Sequence, residues 1–149
     1  MATISRTSIV PQRVSAALAV LRVVAGIIFV AHGAQKLFTY GLAGVSGSFA
    51  GMGIPLPGIT GPAVAFLEFF GGIALILGLL TRLAALGLAI NMLGAIIMVH
   101  LAAGFFLPQG YEFALSLFGA SVALALAGAG EYSVDEVIAR RRGGATGRV

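Results

Sequence analysis

Five ionisable side chains stand toward the same end of the long apolar runs of this chain: His32, Lys36, Glu68, His100 and Glu112. His32 and Lys36 lie one helical turn apart in "VAHGAQKLF", residues 30–38. A carboxylate with a lysine and a histidine at its own depth can form a structural ion pair, bind a polar ligand or relay protons. An ionised group at mid-bilayer costs about 2.5–3.5 kcal/mol, so Glu68 needs either a cation or a proton. His32 and Lys36 are its available partners. Glu68 and His32 are the proton-relay candidates; His32, Lys36, Glu68, His100 and Glu112 are the ligand-binding candidates. Plainer roles stand beside these. Lys36 can snorkel to headgroups, His100 can be interfacial, and Glu112 suits the positive start of a helix. Arg22 and Asn91 read as structural polar residues, Arg22 snorkelling or bonding a neighbouring helix and Asn91 holding helices together.

Other chemistries lack their residues. The first motif is His-x-x-x-Lys and no Glu-x-x-His pair occurs, so no metal site is expected. The chain has no cysteine, which excludes disulfides, thiolate metal sites, haem attachment and thiol redox chemistry by the chain itself. No serine has a triad context, and no glycine-rich phosphate loop follows a strand, so no nucleotide cofactor is expected. The pI near 10.4 comes from nine basic residues scattered along the chain, with no groove-binding stripe; nucleic acid is not an expected partner.

The elements that position these groups follow from solvent. Hydrophobic residues make up 59% of the chain and charged ones 9%, against the roughly 25% charged of a soluble domain. Lipid must therefore be the solvent. Four runs reach the length of about 20 residues that a spanning helix needs: 16–38, 61–80, 82–104 and 111–130. No ten-residue alternation suggests a barrel, and helices satisfy their own backbone in lipid. The first run exceeds the roughly 7–15 apolar residues of a signal peptide and ends in His32 and Lys36, so it reads as a retained helix. The expectation is an all-α integral membrane four-helix bundle. It has an N-terminal tail (1–15), an outer loop (39–60) and a basic C-terminal tail (131–149).

Arg6, Arg13, Arg82, Arg140, Arg141, Arg142 and Arg148 fall on one side of these spans. The loops 39–60 and 105–110 carry no basic residue. Both termini are therefore expected to be cytoplasmic. At about 1.5 Å per residue, His32 lies roughly 9 Å inside the outer end, Lys36 roughly 3 Å and Glu68 about 10 Å. His100 and Glu112 fall near the same end, so all five candidates share the outer half of the membrane. Arg22, Gly26, Phe29, Gly33 and Lys36 form one stripe of the first span, bordered by His32; small residues there let helices approach. Gly71 and Gly72 flank Glu68, Ala84, Gly87, Asn91, Gly94 and Met98 mark a face of the third span, and Gly119 and Ala123 are assigned to the seam on the fourth. "VSGSFAGMG" in the outer loop reads as a short interfacial helix, and the loop as either a hinge or a lid. Ser133 and Glu136 have capping-box spacing, which starts a short helix whose arginines touch anionic headgroups or water.

The chain resembles the DoxX family of small four-helix membrane proteins. The resemblance rests on "AHGAQKLF", "GMGIPLP", "LEFFGGIALILGLLTRLAALGLAINML" and "GAGEYSVDE", and covers roughly residues 18–136. It implies a multi-pass protein of the bacterial inner membrane. Some relatives are similar to membrane subunits of thiosulfate:quinone oxidoreductase; others resemble membrane partners of soluble oxidant-defence enzymes. The implied function is the membrane component of a quinone-linked oxidoreductase or an oxidative-stress assembly, with quinone as the cofactor outside the chain. A soluble redox enzyme or a second membrane subunit would supply electrons, and homo-oligomers are open. The alternatives are a non-catalytic scaffold that recruits soluble redox partners and, third, a small-molecule transporter.

Overall fold

In a computed structural model, residues 6–145 are described, and they are helical throughout apart from short connections. Residues 1–5 and 146–149, which include Arg148, lie outside the described residues. Helix α1 spans Arg6–Ala34 and passes through a π-helical turn, Gln35–Tyr40, into α2, Gly41–Gly51. Helix α3 is Pro57–Leu77 and α4 is Thr81–Ala95. The latter continues through a second π-helical turn, Ile96–His100, and a 3-10 turn, Leu101–Ala103. Helix α5 is Glu112–Ala127 and α6 is Val134–Ala145.

Much of the expected N-terminal tail, from Arg6 onward, is therefore part of α1, and the glycine-rich part of the outer loop is the helix α2. One run of helical residues extends from Gln12 to Gly51. Its 40 residues would reach about 60 Å, twice the hydrocarbon thickness of about 30 Å. Gly41, with φ +68° and ψ 162°, breaks the run between α1 and α2, so α2 turns aside onto α3. Among the described residues three stretches are long and apolar enough to cross a membrane; α5, at 16 residues, is shorter. It begins at Glu112 and is stopped by Gly128, whose φ of +85° is cheap only without a Cβ.

Helices α1, α3, α4 and α5 form the bundle, each packed on the next in chain order, with α1 against α5 closing the ring. Phe29, Leu75, Leu88 and Leu124 are fully buried at its centre. The α1–α3 contact is backbone to backbone. A Cβ on Gly72 would lie 2.7 Å from the Gly26 carbonyl oxygen and 2.8 Å from the Val30 nitrogen. A Cβ on Gly33 would lie 2.7 Å from the Phe69 Cα. Glycine is what permits this approach, and it brings Lys36, one turn beyond Gly33, beside Glu68, which precedes Phe69.

The other end of the bundle is closed by polar caps. The α3–α4 turn carries positive φ at Gly78 (67°) and Leu80 (48°). Buried Arg22 donates to the Leu75 (3.0 Å) and Ile76 (2.7 Å) carbonyls and to that of Tyr132. It thus caps the negative end of α3. The Asp135 carboxylate accepts from the Leu80 (2.7 Å) and Thr81 (3.0 Å) amides at the positive end of α4. Ser133 Oγ accepts from the Glu136 amide at 3.2 Å, as the capping-box spacing requires. Glu136 turns outward to pair with Arg140 at 2.7 Å.

Candidate functional site

The seam between α1, α3 and α4 places three polar side chains in contact. Glu68 retains 4% of its surface. One carboxylate oxygen, Oε2, is ion-paired with Lys36 Nζ. The other, Oε1, accepts from Asn91 Nδ2 at 3.0 Å. Each comes from a different element: Lys36 from the first π-helical turn, Glu68 from mid-α3, Asn91 from α4. The carboxylate is thus held at both oxygens, which a buried anion requires.

These three groups line a cavity of about 490 Å³ at the α2 end of the bundle. Phe29, Met92 and Leu117 contribute apolar wall from α1, α4 and α5, and Phe49, Met52 and Ile54 contribute it from α2 and the segment that follows. His32 and His100 also line it. A largely apolar cavity with a few converging polar groups is the usual form of a small-molecule site, of about 300–1,000 Å³. Both helices that enter it from this end leave α geometry there, α1 at Gln35 and α4 at Ile96. Such π-helical turns are rare and concentrate at functional sites.

The structure separates the sequence candidates. His32, Lys36, Glu68 and His100 share the cavity. His32 does not bond Glu68: its ring lies 6.0 Å from that of Phe113, and it has no hydrogen-bond partner among the described residues. His100 Nδ1 lies 2.9 Å from the Gln109 carbonyl. Glu112 does not line the cavity; it accepts from the Leu107 amide at 2.7 Å. Arg22 sits at the opposite end as a helix cap. Asn91, expected only to join helices, contacts the central carboxylate directly. Its signal was available, since it is the one amide side chain inside the third apolar run. The assignment of Gly119 and Ala123 to the seam is corrected: both are exposed, and α5 packs through Ala114, Leu117, Ser121 and Leu124 instead. Among the described residues, no group of three or more His, Cys, Asp or Glu is placed to hold a metal ion.

Comparison with known proteins adds a family context. The family model described as DoxX matches residues 17–101. The model described as "TQO small subunit DoxD" matches residues 63–146. "Putative oxidoreductase CatD" of Bacillus subtilis is 35% identical over 79% of this chain and 84% of its own length. "Inner membrane protein YqjF" of Escherichia coli is 32% identical over 82% of this chain and 92% of its own. "Uncharacterized membrane protein Rv3486" of Mycobacterium tuberculosis is 32% identical over 81% and 80%. No solved structure matches.

Proposed function

The chain belongs to the DoxX family of helical membrane proteins, and we propose that it is the membrane component of a quinone-linked redox system. The observation that carries this reading is the Lys36–Glu68–Asn91 group, buried in the wall of an apolar cavity of about 490 Å³. The printed names of an oxidoreductase relative and of the DoxD model support it.

The residues fit a quinone head. The cavity is large enough for a substituted ring, and its Phe, Met and Leu walls suit the ring faces. Lys36 Nζ has three hydrogens and no lone pair, so it donates to a carbonyl oxygen. A bound quinone supplies the capacity to take up two electrons and two protons at its carbonyl oxygens. Lys36 holds a proton at Nζ, Glu68 Oε2 balances that charge, and Asn91 fixes the carboxylate from its other side. After Nζ gives up its proton, the Glu68 carboxylate can accept one relayed by way of His32, on the same cavity wall, and pass it to Nζ. Electrons come from a soluble redox enzyme or a second membrane subunit. The distribution of basic residues supports cytoplasmic termini, with the cavity open on the outer side.

The test is extraction of quinone from mildly purified protein, wild type beside Glu68→Gln. Close to one quinone per chain in wild type, lost in the variant, is the expected result. No quinone in either folded protein would sink the proposal and leave a non-catalytic scaffold for soluble partners.

A further inference from the structure

We propose that His100 is presented to the cavity as a proton acceptor for a hydroxyl group of the ligand, and that Glu112 is the positioning residue that keeps it so. This rests on the cavity being the quinone site proposed above. His100 ends the π-helical turn of α4, with Nδ1 2.9 Å from the Gln109 carbonyl oxygen. A carbonyl oxygen can only accept, so Nδ1 carries the hydrogen. In the neutral ring Nε2 then keeps its lone pair. Among the described residues nothing hydrogen-bonds Nε2, and the ring lines the cavity.

The connection that carries Gln109 is more constrained than a link between two helices needs to be. Tyr111 donates to the Gly104 carbonyl and Glu112 to that of Phe105, both at 3.0 Å. Gly110 donates to the Phe106 carbonyl at 3.0 Å, and a Cβ on Gly110 would lie 2.5 Å from the Phe105 carbonyl carbon. The Glu112 carboxylate closes the loop on the Leu107 amide at 2.7 Å. Every anchor fixes the Gln109 carbonyl opposite His100. The cavity then offers a donor, Lys36 Nζ, and an acceptor, His100 Nε2. That pair suits the dihydroxy form of the ring as well as the dicarbonyl form. When the hydroxyl proton moves to Nε2, the ring becomes imidazolium while Nδ1–H stays on Gln109, so the chain gains one proton and the ligand oxygen loses one.

The chain has two histidines, so selective 15N labelling reads them cleanly, and a His32→Gln background leaves His100 alone. The expected spectrum at neutral pH is that of a ring protonated at Nδ1 only. Glu112→Gln, which still accepts from Leu107, preserves it, whereas Glu112→Ala turns it into a mixture of tautomers. A ring protonated at Nε2, or one indifferent to Glu112→Ala in a protein of unchanged helicity, overturns the proposal. The ligand arm uses decylubiquinol against its dimethyl ether. Wild type should bind the ether about tenfold or more weakly, and His100→Leu should erase that preference. A preference that survives His100→Leu overturns the acceptor role alone. Failure of wild type to bind decylubiquinol or decylubiquinone overturns the quinone reading and the acceptor role together, with the tautomer result still deciding the role of Glu112.

Discussion

Lys36 and Glu68 differ in how well each can survive without the other. Glu68 is almost wholly enclosed, whereas the Lys36 side chain keeps 21% of its surface. Removing one partner of a buried pair costs about 3–5 kcal/mol because a charge is left uncompensated. Lys36→Met strands Glu68 with Asn91 alone and should fall in that range. Glu68→Gln leaves an amide that still bonds Asn91 and a lysine that can turn toward headgroups, so about 1–2 kcal/mol is expected. The double variant should recover most of the Lys36→Met loss. Circular dichroism melts in one detergent measure the three; equal losses for the two single variants would refute the asymmetry. That Lys36 and Glu68 lie toward the same end of the bundle was legible because position along each apolar run determines it. The failure of His32 to reach Glu68 was not. Rotation of about 100° per residue holds only for an α-helix, and α1 becomes π-helical at Gln35, so Lys36 is turned relative to His32 by an amount no periodicity reveals.

Among the helices, the glycines sort into those that set a contact and those that do not. At Gly72 an added Cβ meets backbone of α1 at 2.7 Å, and backbone cannot move aside as a flexible side chain can. Gly72→Val should force α1 and α3 apart, abolish the Lys36–Glu68 contact and empty the cavity of quinone without touching a site residue. At Gly119, exposed in mid-α5 and away from the cavity, an added Cβ meets nothing within 4 Å. Gly119→Ala should therefore stabilise the protein by about 0.5–1 kcal/mol through helix propensity, with bound quinone unchanged. Thermal melts beside quinone content separate the two; a neutral Gly72→Val would show that the close approach sets nothing. The α1–α3 stripe was legible because Arg22, Gly26, Gly33 and Lys36 differ in kind from the lipid-facing valines and isoleucines between them. The packing face of α5 was not, because that helix is apolar on all sides: Gly119 and Ala123 look like Ala114 and Ser121 in composition and face the other way.

The molecule as a whole is polarised from end to end. One end holds the cavity; the other is tied by Arg22 and Asp135, which cap the two sides of the same tight turn and bind α6 to it. Asp135→Ala removes the acceptor for two amides and should cost about 0.5–2 kcal/mol, the usual loss for a helix cap. It should leave quinone content intact, because nothing at the cavity contacts it. This latch couples α6, which carries Arg140, Arg141 and Arg142, to the bundle. Lys36, the basic residue at the cavity end, is already neutralised by Glu68. Alkaline phosphatase fused after Met52 should therefore be active and the same enzyme fused at the C-terminus inactive, with a green fluorescent fusion showing the reverse. That result puts the cavity mouth on the outer side and requires an electron donor, or a membrane subunit, that reaches it there. The opposite pattern would turn the molecule over, overrule the arginines as topology determinants, and place the donor in the cytoplasm with the same Lys36–Glu68 pair at its disposal.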